Sequence, residues 1–274
     1  MTVKRDTLLV SVSDFHSGSN FALFLNRQWY GRRNMTHIAT GGQVQIRKQF
    51  ETFGAEVKAA RKNKRVILVH NGDSLDGDHH HSSDVCTTNE LEQADIHIEL
   101  ISELQKRIGW QRGDELYYTR GTETHVHEFE NYIGKELNAV MCGDWWVHDL
   151  LELEVNGVRV CWVHHGPRRG EGANEGNSVR NWLRNIYYDT TKDGALPPHV
   201  VVTGHVHDPT YSTYVYRRRM EFETMHGIVL PSWQGKTAHA WKVASMSRNK
   251  IGGVYQEVKA DGTICIPRFS VMAA

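Results

Sequence analysis

The sequence predicts an α/β fold whose strand ends carry the chemistry, and three observations support this. Five short apolar runs, rich in Val, Ile, Leu or aromatic residues, stop at Gly or a turn residue and read as strands. In the first half these runs alternate with stretches of helical spacing, which argues for a sheet with helices packed on it. In the second half they are separated mainly by turns, with Asn156-Gly157 inside LLELEVNGVRVCWV as a type I′ hairpin signal.

Taken in order, LLVSVS is the first strand and runs into Asp14-Phe15-His16. The connection from Ser17 to Lys64 is long, and its segment NRQWYGRRNMTHIATGG has no clear period; it reads as a surface insertion or lid over the site. From Arg47 to Lys64 the spacing is helical, and RVILVHN is the next strand, ending in Gly72-Asp73-Ser74-Leu75-Asp76. Residues 89–110 repeat the helical pattern, with Thr88 or Asn89 as N-cap and acidic residues in the first turn. ELYYTR then leads to Gly121-Thr122-Glu123-Thr124-His125, and a helix is expected from near His127 through FENYIGKELNAV. VRVCWV ends in His164-His165-Gly166-Pro167, NSVRNWLRNIYYD is helical, and HVVVT ends in Gly204-His205-Val206-His207. GGVYQEV-KADG-TICIPRF closes the chain as a hairpin. With no linker, repeat or low-complexity tract, residues 1–274 read as one domain with an insertion at about 17–64.

Lys plus Arg equals Asp plus Glu at 32 each, so no global field points to nucleic acid or an anionic membrane. No apolar run approaches the roughly 20 residues that cross a bilayer, and MTVKRDTLLVSVSD reads as a strand entering a site rather than a signal peptide. Four scattered cysteines without a C-x-x-C pair suit a reducing, cytoplasmic setting. The outlier is the 17 histidines, about a third of which fall at the strand ends.

Open α/β sheets bind ligands beyond the carboxyl ends of their strands. Asp14 and His16, two apart, can chelate one ion together, as can His205 and His207. A lone D-x-H says almost nothing. Asp73, on a glycine turn after a buried strand, has no packing role and can bridge two cations, while Asp76 either holds the loop or orients a ligand. All five stretches in this order make a multinuclear metal site the better reading.

The series D-x-H, G-D-x-x-D, a G-N-H-like third motif, a lone His and G-H-x-H resembles the calcineurin-like metallophosphoesterases. The resemblance implies a four-layer α-β-β-α sandwich of the metallophosphoesterase type. It implies two divalent cations, one held by Asp14, His16, Asp73 and His207, the other by Asp73, His205 and the lone His. The following Gly-Pro selects His165 for that role, with His164 as the alternative. The third motif departs: Glu123 stands to replace the family's neutral Asn oxygen, His125 to act as the acid, and Thr122 would be a far weaker ligand. On an extended segment Glu123 and His125 would both face the centre.

The implied reaction is hydrolysis of a phosphate mono- or diester by a metal-activated hydroxide. Hard carboxylates with imidazoles suit Mn²⁺, Fe, Zn²⁺, Ni²⁺ or Co²⁺, and Mn²⁺ is expected to support activity. Arg168 and Arg169 are placed to fork a substrate phosphate. His79, His80 and His81 read as an exposed loop. Trp29, Tyr30, Arg32 and Arg33 with Arg217, Arg218 and Arg219 leave open a nucleic-acid contact, and so a nuclease. A catalytically impaired binding module is the remaining alternative.

Overall fold

The strands near the amino end show their two faces to two different cores, and that alternation sets the architecture. In the computed structural model, which describes residues 4–26, 28–31, 36–77, 84–126, 128–167, 174, 176–237 and 250–273, the first elements are β1 (Thr7–Val12), β2 (Gln28–Tyr30), β3 (Thr36–Ile38), α1 (Gly41–Arg61), β4 (Arg65–Asn71), α2 (Glu90–Ile108) and β5 (Glu115–Thr119). Then come α3 (Glu123–Val126), α4 (Phe129–Glu136), β6 (Leu151–Val155), β7 (Val158–Trp162), α5 (Asn177–Lys192), β8 (Val200–Thr203), β9 (Thr210–Arg218), β10 (Glu221–Val229), β11 (Lys250–Val258) and β12 (Arg268–Ala273).

The strands form a mixed α/β structure with two five-stranded sheets, ordered β12-β11-β1-β4-β5 and β6-β7-β8-β10-β9, and a small β2–β3 pair. β1, β4 and β5 are parallel, with α1 and α2 as the crossovers, and β7, β8 and β10 are parallel in the second sheet. Leu8, Val10, Val12, Val66, Leu68, Leu116 and Tyr118 point to a core shared with Phe50, Phe53 and Val57 of α1 and Leu100, Ile101 and Leu104 of α2. Their neighbours Leu9, Ile67, Val69 and Tyr117 point the other way, into a core with Val158, Val160, Trp162, Val200 and Val202 of the second sheet. On the far side of that sheet, Leu183 of α5 packs with Val201, Tyr216 and Met225. Among the described residues no helix is long and apolar enough to cross a membrane.

α1 begins at Gly41, ahead of the expected Arg47, because of a capping box: Gln43 N–H donates to Thr40 Oγ1 at 3.2 Å, and Thr40 N–H donates to Gln43 Oε1 at 3.0 Å. The stretch read as an insertion therefore holds two different things. One is the β2–β3 hairpin; the other is a helix belonging to the packed frame. α2 starts where expected, with Asn89 Oδ1 accepting from Leu91 N–H and Glu92 N–H, and stops at Gly109 in the left-handed conformation. The final hairpin departs from TICIPRF. Ile264 bridges back to Val258, with Lys259 N–H donating to Thr263 O and Cys265 N–H to Glu257 O, and regular strand pairing resumes at Arg268, just past Pro267, which has no N–H to donate.

The end of α1 is tied to the entry of β5 by a buried ion pair. Arg61 Nη2 lies 2.7 Å from Asp114 Oδ2, and Asp114 also accepts from Val66 N–H and Gln111 N–H. Asp114→Ala leaves a buried guanidinium without its counter-charge, so stability measured by urea denaturation is expected to fall by about 3–5 kcal/mol.

Candidate metal centre

The C-terminal ends of β1 and β4 in one sheet and of β7 and β8 in the other meet at one rim. The loops interlock through the backbone: Asp14 N–H donates to Gly72 O and Gly204 N–H to His164 O, each at 3.0 Å. At this rim Asp14, His16, Asp73, His205 and His207 all have positive φ, between 44° and 67°. That region costs a non-glycine residue about 1–3 kcal/mol and persists only where the surroundings dictate it. The D-x-H and H-x-H pairs thus converge through tight left-handed turns rather than by the extended alternation expected from their spacing. Gly72 (φ 81°) supports the approach, because a Cβ there would meet His164 Nδ1 at 2.4 Å.

Two carboxylates occupy the middle. Asp14 is fully buried, accepting from Ser13 Oγ and from His205 N–H at 3.0 Å, with His207 Nε2 at 3.1 Å. Burial would raise its pKa, but His207 outweighs that and holds it below the usual value. Asp73 is buried beside His164 Nε2 at 3.1 Å, His205 Nδ1 at 3.8 Å and His16 Nε2 at 4.0 Å. Burial again acts upward; His164 and His205 outweigh it, and the carboxyl lies well below its usual range. Conversely, burial disfavours the charged form of His164, yet Asp73 and Asp14 bring it up to about 9. Asp76 lies 3.3 Å from His16 Nδ1 and accepts from Gln234 Nε2 at 2.9 Å, so it orients His16 from behind.

Among the described residues, metal-ligating atoms gather in three overlapping sets: Asp14, His16 and His207; Asp14, Asp73 and His164; and His164, His165 and His205. Of the two adjacent histidines, His164 is the one that meets Asp73, while His165, the first choice from the sequence, is exposed near His205 and shares a ligand set with both. The two rings lie side by side, with centroids 4.9 Å apart. His164 Nδ1 bonds Asn71 O at 2.6 Å, so the neutral ring carries its lone pair on Nε2. That Nε2 is buried without a well-formed hydrogen bond, so the donor set fits a cation.

The third motif is corrected as well. Glu123 opens α3 and is exposed, and residues two apart on a helix do not share a face. Glu123 is in none of the three sets. Thr122 is at the rim instead: its N–H donates to Asp73 Oδ1 at 2.6 Å and its hydroxyl lies 3.3 Å from Oδ2. The side chain of His125 lies outside the described residues, as do Arg168, Arg169, Arg32, Arg33, His79, His80 and His81. Trp29 packs against Phe24 on the first core, and Arg218 pairs with Glu223 at 3.3 Å.

Sequence reasoning missed Glu130. Its fully buried carboxylate accepts from Ser74 N–H, Ser74 Oγ and Gly121 N–H, clamping together the loops on either side of Asp73. Burial pushes it up to about 7, against the pull of the Gly121 N–H. The signal was present: Glu130 stands three residues before Ile133, on the buried face of α4. Behind the rim, His97 bridges Ser17 Oγ and Tyr118 OH, each at 3.1 Å, and burial takes it down to about 3, so it stays neutral.

Comparison with family models and with curated proteins returned no match. Among solved structures, one similar to this chain is a protein of unknown function from Aquifex aeolicus, at 14% identity and TM-score 0.30, covering 73% of this chain and 80% of that one. Another is a 5'-nucleotidase from Candida albicans, at 11% identity and TM-score 0.35, covering 95% of this chain and 49% of that one. The chain thus spans about half the length of that nucleotidase.

Two outcomes follow from this geometry. Glu130→Ala strands buried donors and is expected to cost at least about 1–3 kcal/mol by chemical denaturation. Glu123→Gln, at an exposed position, is expected to leave metal content unchanged by elemental analysis.

Proposed function

We propose that this chain is a metal-dependent phosphoesterase of the calcineurin-like type, its two sheets and flanking helices forming the four-layer α-β-β-α sandwich of that family. The observation that carries the reading is the overlap of the ligand sets at Asp14 and His164, around two buried carboxylates, Asp14 and Asp73, ringed by His16, His164, His205 and His207. Under this reading one cation is held by Asp14, His16, His207 and a shared Asp73, and a second by Asp73, His164 and His205. When bound, the pair supplies charge for the phosphoryl oxygens and a water acidic enough to act near neutral pH.

The chain's own residues do the rest. Asp76 fixes the ring of His16, and Asn71 O fixes the tautomer of His164. Glu130 and the Thr122 N–H hold Asp73 in place, so that its oxygens are aimed before substrate arrives. His125, three residues beyond Thr122, is the proposed proton donor to the leaving oxygen, and Arg168 and Arg169 are the proposed phosphate contacts. Residues 1–274 make one such unit.

Asp73→Ala is expected to remove at least one bound ion and to lower hydrolysis by more than about a hundredfold, beyond the 10–100-fold typical of residues that only support ligands. The assay uses reconstituted protein with an aryl phosphodiester, an aryl phosphomonoester and single-stranded DNA. Retained metal and retained turnover in the variant would overturn the reading, and cleavage of DNA alone would move it to a nuclease.

A further inference from the structure

We infer that His164 and His165 both serve the second cation, which takes three imidazoles with Asp73 and so selects a borderline-soft metal such as Zn²⁺ over Mn²⁺. The inference rests on the proposed metal centre and deepens it. Ligand nitrogens of His164, His165 and His205 all lie within 4.8 Å of one another, close enough to share one ion. The rings meet edge to face, with His165 and His205 at 89° and centroids 4.6 Å apart, and His164 and His205 at 74° and 5.4 Å. Three imidazole nitrogens gathered this closely can serve one ion as a ligand triad.

What stands opposite this triad decides the metal. Among the described residues of the third loop, Thr122 places a neutral hydroxyl 3.5 Å from His205 Nδ1, and that hydroxyl also lies 3.3 Å from Asp73 Oδ2. Glu123 adds no carboxylate. The set around Asp14 instead has carboxylate oxygens with His16 and His207. Imidazole suits Zn²⁺, Fe, Ni²⁺ and Cu²⁺, while carboxylate-rich sites suit Mn²⁺ and Mg²⁺. The two positions are therefore chemically unequal, and replacement of the second ion by Mn²⁺ is disfavoured.

The test compares the full chain with its His165→Ala variant. His165 is exposed, so the fold does not depend on its ring. Metal-stripped protein is titrated with Zn²⁺ and with Mn²⁺ by calorimetry, and bound ions are counted after dialysis. Wild type is expected to hold two Zn²⁺ and the variant one, the second step weakening by at least about tenfold, the lower bound for disturbing a ligand's support. The Zn²⁺-over-Mn²⁺ preference of that step is expected to narrow. Co²⁺-substituted protein provides an independent reading, since loss of one nitrogen ligand changes its visible absorption. An unchanged second step, or an unchanged Co²⁺ spectrum, would overturn the inference while leaving the metal centre intact. Wild-type protein that takes up no cation at all would bring down the proposed function itself.

Discussion

Two carboxylates buried side by side are the constraint on which the rest of this structure depends. Asp14 and Asp73 are removed from water in a chain that otherwise buries its strands in apolar cores. An unpaired buried charge is expensive, so each is surrounded by donors: a serine hydroxyl, backbone N–H groups and four imidazoles. The left-handed turns at the strand ends, the glycine beside His164 and the interlocked loops all serve to bring those donors close. Strain is accepted in the backbone because the alternative is uncompensated charge in the interior.

The supporting polar groups form a second, quieter arrangement. Glu130, Ser74, Ser17, His97 and Tyr118 lie beneath the rim, joined by hydrogen bonds that run from α2 and α4 to the residues flanking His16 and Asp73. None of them needs to touch a ligand to matter. They set where the loops can sit, and a polar network in a low-dielectric interior is stiff only when every member is satisfied.

Much of this was legible in the sequence because strands of alternating faces are a strong signal. β1, β4, β5, β7 and β8 end close to where the apolar runs end, and Asp and His residues beyond β1, β4, β7 and β8 meet. The reading failed where local geometry departed from a simple period. The spacing of Glu123 and His125 suggests an extended segment, but four residues of helix turn Glu123 outward. Gly-Pro alone cannot decide between His164 and His165, because the backbone leaves strand geometry before it reaches them. Glu130 was invisible to pattern alone, since a lone acid on an amphipathic helix reads as surface until its register with Ile133 is noticed.

The distribution of ligands along the chain has a consequence for how the two sheets hold together. Asp14, His16 and Asp73 belong to loops of the first sheet, and His164, His205 and His207 to loops of the second. Asp14 and His207, paired at 3.1 Å, are separated by 193 residues. An ion held between them would be a staple across the seam, closing one very long covalent loop much as a crosslink does. Because the entropy of closing a loop grows only slowly with its length, by about 0.6 kcal/mol per doubling, such distant ligands are barely harder to bring together than nearer ones. The binding energy of the ion would then be felt chiefly as cohesion between the sheets, each of which keeps its own hydrogen-bonded ladder whether or not the staple is present.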